Sequence, residues 1–300
     1  MKKRRIFWLP TLLILVLLTL FVVKKINDGW LSPNPIKREL YEQGMRPYRD
    51  GNLKFSLPET VSRSKRKELV ATTRKYIAKS VEFIHETALE DTIHLILVPT
   101  RKEMENLLGP SIWGGGIAGT YFTKNYDSYP EGSNPGENQI YAVYGEKHNE
   151  LKTLVMGMVS ILKWGNPGNY DYWLNEGLST LFSPESQDCD GHTFEERYVY
   201  FLQNGKLLVP DSTMRFAFEG NEVVQNKIYR NQTAYLVGSL INNYGIEEFK
   251  RLWQSDMENF EKIYGLSFKN YILKINDGLN EKYPDPIDFN WVKFKERCMK

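Results

Sequence analysis

The chain has 300 residues, with 41% hydrophobic and 25% charged content, which excludes a disordered or low-complexity chain and permits a full buried core. Six of its 39 basic residues and none of its 37 acidic ones fall in the first 25 positions, leaving 33 basic against 37 acidic, a net −4, for the rest. A mildly acidic body with no basic stripe excludes nucleic acid as the partner.

Lys2, Lys3, Arg4 and Arg5 precede Ile6 to Val23, eighteen uncharged residues closed by Lys24 and Lys25. That length is at the lower edge of a bilayer crossing. No small-x-small cleavage site follows Val23 and no cysteine stands at the end of the run for lipid attachment, so it reads as an uncleaved signal anchor rather than a signal peptide. Four positive charges before the span against two after it predict a cytoplasmic N-terminus and a body outside the cytoplasm. Residues 26–51, with Pro33, Pro35 and Pro47, read as a tether with one short helix. The folded domain is expected over 52–300.

Leu53 to Leu57 alternates as a strand, Ser62 to Thr87 has helical periodicity, and Thr92 to Val98 is a short strand of high β propensity. His85 and Glu86 lack a second histidine four residues on and read as an exposed helix end. Thr100 caps a helix over Arg101 to Leu108, stopped by Gly109-Pro110. The run Gly114-Gly115-Gly116 is followed by no Gly-Lys-Ser/Thr, which excludes a phosphate loop. Residues 126–138 form a loop, and Gln139 to Tyr144 is a strand. His148, eight residues before Met156, lies too far along to ligate anything there, and suits a helix N-terminal region.

The central stretch is Thr153 to Phe182: a helix, a Gly/Pro/Asn turn and a second helix opening on Trp173-Leu174-Asn175-Glu176-Gly177. Met156, Gly157 and Ser160 lie together, one turn apart, the spacing that a zinc peptidase gives to His-Glu-x-x-His. A thioether, a missing side chain and a hydroxyl are a poor donor set for zinc, and nothing at 157 can accept a proton. A glycine inside a helix also costs about 1 kcal/mol relative to alanine, so helix propensity does not account for Gly157.

Downstream, Asp188-Cys189-Asp190-Gly191-His192 has no second Cys/His pair and reads as a solvent loop. A Cys189–Cys298 disulfide is permitted outside the cytoplasm but not established by sequence. Phe194 to Gln203, Ile228 to Tyr244, Ile246 to Trp253 and Met257 to Tyr264 read as helices, and Leu266-Ser267-Phe268 opens another. Asn231-Gln232-Thr233 fits the glycosylation pattern but sits mid-helix.

Thr-Leu-Val-Met-Gly-Met-Val-Ser resembles the Leu-Val-His-Glu-x-x-His helix of gluzincin metallopeptidases in the peptidase MA-like branch, with the motif degenerate. On that resemblance Met156 stands at the first histidine, Gly157 at the catalytic glutamate and Ser160 at the second histidine. Trp173 to Gly177 is similar to the segment bearing the third zinc ligand, which makes Glu176 a vestigial ligand, separated from Ser160 by fifteen residues. The likeness covers about 90–265. It implies that the glycine run leads into an edge hairpin, and that Gln139, Ile140, Tyr141, Ala142 and Val143 form an edge strand able to pair with an extended peptide. It also implies that Tyr229 or Tyr235 stands nearest the oxyanion tyrosine of some members.

The resulting expectation is an α+β fold, a small mixed sheet packed on the former active-site helix and followed by a mainly helical half. The function expected is a membrane-anchored, catalytically silent metallopeptidase homologue that binds a peptide or protein segment outside the cytoplasm, or serves an envelope complex. No catalytic residue, no metal and no cofactor is assigned, since the zinc of the family has lost its ligands here. Two other readings stay open. One is a hydrolase with a non-standard site using Glu150, Glu176, Cys189 or His192; the other is a purely structural anchored protein.

Overall fold

The structure is a computed structural model that describes residues 8–27, 35–108, 116–119, 138–144, 149–165, 167, 172–183, 190–210 and 223–298. The chain gathers into two compact units, one drawn from 1–70, 92–115 and 120–145, the other from 71–91, 116–119 and 146–300.

The first unit is built on a mixed sheet. β1 (Met45–Asp50) and β2 (Leu53–Pro58) form an antiparallel hairpin with Asp50 opposite Leu53 and Met45 opposite Pro58. Gly51 takes φ 59° in the tight connection, the left-handed conformation that two-residue hairpin turns require. β3 (Ile93–Val98) runs parallel to β2, and β5 (Asn138–Val143) runs parallel to β3, from Ile93 opposite Asn138 to Val98 opposite Val143. The sheet order is β1-β2-β3-β5-β4, and its last strand, β4 (Gly116–Gly119), belongs to the second unit.

Leu53, Phe55 and Leu57 on β2 are buried, as are Ile93 and Leu95 to Val98 on β3 and Ile140 on β5. Such near-continuous apolar runs suit interior parallel strands covered on both faces. Ser56 Oγ lies 3.0 Å from His94 Nε2 between β2 and β3. α2 (Pro35–Glu42) precedes the hairpin and buries Leu40. α3 (Arg63–Phe83) carries the crossover from β2 to β3. α4 (Arg101–Leu108) starts at Thr100, whose hydroxyl accepts from the Glu103 amide at 3.3 Å.

This arrangement corrects the tether expected over 26–51. Residues 45–50 are a sheet strand. Proline at 47 disguised it, yet β1 is a terminal strand in the sheet order, where a residue without an N–H is tolerated. The short helix expected within that stretch is α2.

Upstream, α1 (Trp8–Asn27) is a 20-residue helix, and Leu12, Leu13, Leu15, Leu17, Leu18, Leu20 and Phe21 are more than half exposed. Its side chains are described only over 12–24, and among the described residues no helix is long and apolar enough to cross a membrane.

The second unit is helical. α5 (Asn149–Trp164), α6 (Tyr172–Phe182), α7 (Phe194–Gln203), α8 (Val223–Tyr244) and α9 (Ile246–Trp253) come first. A 3-10 turn at Met257–Asn259, α10 (Phe260–Tyr264), α11 (Phe268–Lys282) and α12 (Trp291–Cys298) follow. The single helix expected over 257–264 is therefore broken in two, and α12 was not anticipated. α7 opens with a full capping box, Thr193 with Glu196, and α11 is capped by Ser267.

The core of this unit is aromatic. Trp164 packs edge-on to Phe249 and Trp253, and Trp173 lies 5.5 Å from Phe268. Tyr271 is buried and donates its hydroxyl to Leu236 O at 3.0 Å. Glu86 is no loose helix end: it accepts from Lys250 and, at 3.0 Å, from Trp164 Nε1, tying the segment after α3 to α5 and α9.

Candidate functional site

α5 is closed off around its middle. Val155, Met156, Met158, Val159 and Ser160 are all fully buried, so the helix is enclosed on every side there, as expected of an element apolar all round. A metal-binding helix must instead turn two ligands to an open face. Ser160 donates its hydroxyl to Met156 O, 2.9 Å away and one turn back, which satisfies the group within its own helix.

Gly157 has a packing reason. A Cβ at this position would lie 3.1 Å from Ser179 Oγ and 3.2 Å from Asn175 Oδ1. Both neighbours are on α6, where Ser179 also donates to Asn175 Oδ1 at 3.3 Å. The missing side chain lets α6 approach α5 closely, and this offsets the helix propensity that glycine forfeits. A glutamate at 157 would collide with the two polar side chains that now fill the crossing.

Gly177 does the same on the other side of α6, more stringently. A Cβ there would lie 2.6 Å from Thr233 O and 2.6 Å from Val237 Cγ2, so the backbone of α8 rests directly on Gly177. Thr233 donates its own hydroxyl to Tyr229 O at 2.8 Å. The crossing fixes the register of the two helices and puts Arg230, one turn before Thr233, beside Glu176. Arg230 Nε lies 2.7 Å from Glu176 Oε1, with side chains 20% and 30% exposed. That oxygen is buried and receives no well-aligned N–H. The contact is thus a close ion pair rather than a directed hydrogen bond, and its strength is mainly coulombic.

Glu176 is therefore neutralised by a guanidinium. Zinc does not fit these residues: position 157 offers no donor, the Ser160 hydroxyl is committed to backbone, Met156 is a sealed thioether, and Glu176 already has a cation. No hydrolytic step is derived through such a group. Among the described residues no three or more His, Cys, Asp or Glu side chains gather where they could hold a metal ion.

The tyrosines on α8 have other roles. Tyr229 is half-buried. Tyr235 packs against Tyr198 in a tilted pair with centroids 4.7 Å apart and faces the Glu195 carboxylate. Burial, then the Glu195 charge, pushes the Tyr235 hydroxyl above its ordinary pKa. Burial also works to raise the Glu195 carboxyl, but Lys282 at 2.7 Å and Tyr283 at 2.5 Å, with Tyr235, outweigh it and hold Glu195 low. The cluster clamps α7, α8 and the end of α11 together.

The strand expected at 139–143 is present as β5, but its edge is not. In the sheet order β5 is an inner strand and the terminal strands are β1 and β4. Ile140, Tyr141 and Ala142 are buried. Its backbone pairs with β3 over the full length of the strand, and the glycine run that disguised β4 supplies the strand beyond. Gln139 and Val143 remain partly exposed.

The loop expected at 188–192 is also corrected in part. Asp190 is buried, its Oδ1 accepting from Arg197 Nη2 at 2.6 Å, Arg197 Nε at 3.2 Å and the His192 amide at 3.0 Å. Arg197, itself buried, donates through Nη1 to Asn231 Oδ1 at 3.0 Å, and Asn231 Nδ2 donates to Lys227 O. A fully buried Asn231 is no glycosylation acceptor. His192 lies against Phe289, 4.9 Å between centroids, with Nδ1 3.7 Å from Glu196. Asp188, Cys189 and His148 lie outside the described residues, as do the side chains of Glu150 and Cys298.

Arg230, Asn175 and Ser179 were missed from sequence. The signal for the two α6 residues was available: Asn175 and Ser179 share the i, i+4 face that meets Gly157. Arg230 had none, because its partner is 54 residues away in the chain. Set against known proteins, the chain matches no family model and no curated sequence.

Proposed function

We propose that this protein is a membrane-anchored, non-hydrolytic homologue of gluzincin metallopeptidases that binds a peptide or protein segment outside the cytoplasm. The observation that carries the reading is the sealed turn at Met156 to Ser160 beside a Glu176 held by Arg230. The peptidase frame of paired helices is retained, and the groups that would activate water are replaced by packing and by an internal cation. The half-buried patch of α6 and α8 at Glu176 and Arg230 is the surface offered to a ligand. The anchor part of the reading is supported by the sequence, eighteen uncharged residues from Ile6 to Val23 between flanking Lys and Arg residues.

The test is a peptidase assay on the full chain in detergent, using a mixed peptide library with and without chelator. No cleavage in either condition is expected. Chelator-sensitive cleavage abolished by Glu176→Gln would overturn the reading.

A purely structural role is favoured by one observation, the inner position of β5, which removes the expected site for strand addition. The two readings part on ligand binding: a structural protein shows no saturable peptide binding.

A further inference from the structure

A guanidinium carries five N–H donors in a rigid fork. Arg197 uses its donors inside the fold, through Nε and Nη2 to Asp190 and Nη1 to Asn231. Arg230 differs. Its Nε lies 2.7 Å from Glu176, and among the described residues neither of its Nη groups makes a hydrogen bond. Its side chain keeps 20% exposure, so it is half-buried at the surface of the second unit instead of being enclosed like Arg197.

Glu176 and the glycine contact behind it hold this guanidinium in place. The α8 backbone is pinned on Gly177, and the ion pair fixes the far end of the side chain. An arginine so oriented has already lost much of the rotamer freedom that binding would otherwise cost. The charge of Glu176 also selects among anions. A singly charged, planar group can take the Nη edge bidentately, whereas a doubly charged phosphate meets about twice the repulsion from the neighbouring carboxylate.

Resting on the peptide-binding reading above, we propose that the Nη edge of the half-buried Arg230 is a carboxylate anchor for the bound segment, with Glu176 as its positioning residue. The carboxylate comes either from a peptide C-terminus or from an Asp or Glu side chain.

The experiment uses the full chain in detergent micelles and fluorescence anisotropy with three labelled Gly/Ala-rich hexapeptides. One has a free C-terminus, one is amidated, and one is amidated with a central Asp. Loss of a charge-assisted bidentate contact is expected to weaken binding of the neutral peptide by about tenfold or more. Whichever charged peptide binds tighter identifies the source. Arg230→Gln is expected to erase the preference, and Arg230→Lys to restore only part of it, since an ammonium keeps the charge but not the fork. Denaturation midpoints establish that both variants fold, and Arg230→Lys alone decides the matter if Arg230→Gln does not. Peptides that bind equally with or without a carboxylate, or a preference untouched in the folded variants, overturn the anchor and leave peptide binding standing. If no peptide binds, titration with acetate, a singly charged carboxylate, separates the two ideas. Acetate binding lost in Arg230→Gln supports the anchor and defeats peptide recognition, and no acetate binding overturns both.

Discussion

Two arginine–carboxylate pairs in the helical unit show how much burial changes what a salt bridge does. Asp190 and Arg197 are enclosed, with side chains 3% and 2% exposed; Asn231 and the His192 amide add hydrogen bonds, while Asp190 Oδ2 has no partner among the described residues. Glu176 and Arg230 touch at a similar distance but remain 30% and 20% exposed, and the arginine engages through one nitrogen. The first pair is part of the core and fixes where α7 meets α8. The second is poised at a surface, where solvent screens it and donors remain for something else.

The largest expected effect breaks the enclosed pair. Asp190→Asn leaves the Arg197 charge buried without compensation and is expected to destabilise by about 3–5 kcal/mol, read from urea denaturation. A loss below about 1 kcal/mol would mean that water reaches the pair and the contrast with Glu176 fails. Next comes the crossing that positions the exposed pair. Gly177→Ala places a methyl carbon against Thr233 O and Val237, and overpacking of this kind costs about 1–3 kcal/mol. In the same variant the carboxylate preference assigned to Arg230 should fall, because α8 must move. Smaller still is Glu176→Gln, expected to change stability by at most about 1 kcal/mol, as for other exposed pairs.

The acid limb of stability sharpens the comparison further, since it reports carboxylates held by partners. The Lys250 hydrogen bond, opposed by burial and aided by Trp164, keeps Glu86 below its ordinary pKa. The Thr193 amide does the same for Glu196, and Glu195 is held low against burial by Lys282 and Tyr283. A carboxyl depressed in the folded state stabilises above its unfolded value and loses that contribution as pH falls through its folded value. Denaturation midpoints should therefore hold steady from pH 7 to about 5 and drop below about 4.5, the unfolded carboxylate range. Glu195→Gln should flatten part of that drop.

Much of the element order was legible in the sequence, and the reasons are local. β2, β3, α4, α7 and α9 fall where alternation, periodicity and capping residues put them. β1 was hidden because Pro47 reads as a breaker when the strand's position in the sheet is unknown. β4 was hidden by glycines that read as a turn. The inner position of β5 was illegible for the same reason, because sheet order is set by pairing between distant segments.

The site divides in the same way. Met156, Gly157 and Ser160 stood out by their spacing, and Glu176 by the resemblance of Trp173 to Gly177 to a third-ligand segment. That Gly157 serves the contact with Asn175 and Ser179, and that Glu176 is held by Arg230, depends on helix crossings that no linear pattern encodes. The buried Asp190 was mistaken for a solvent residue because it sits among turn formers, and its partner Arg197 lies on the next helix.

The most direct test of the central claim is elemental analysis of the purified full chain after equilibration with zinc and gel filtration, beside Glu176→Gln. A sealed helix and a neutralised carboxylate predict substoichiometric zinc that does not differ between the two proteins. Stoichiometric zinc in the natural chain, lost in Glu176→Gln, would contradict the account.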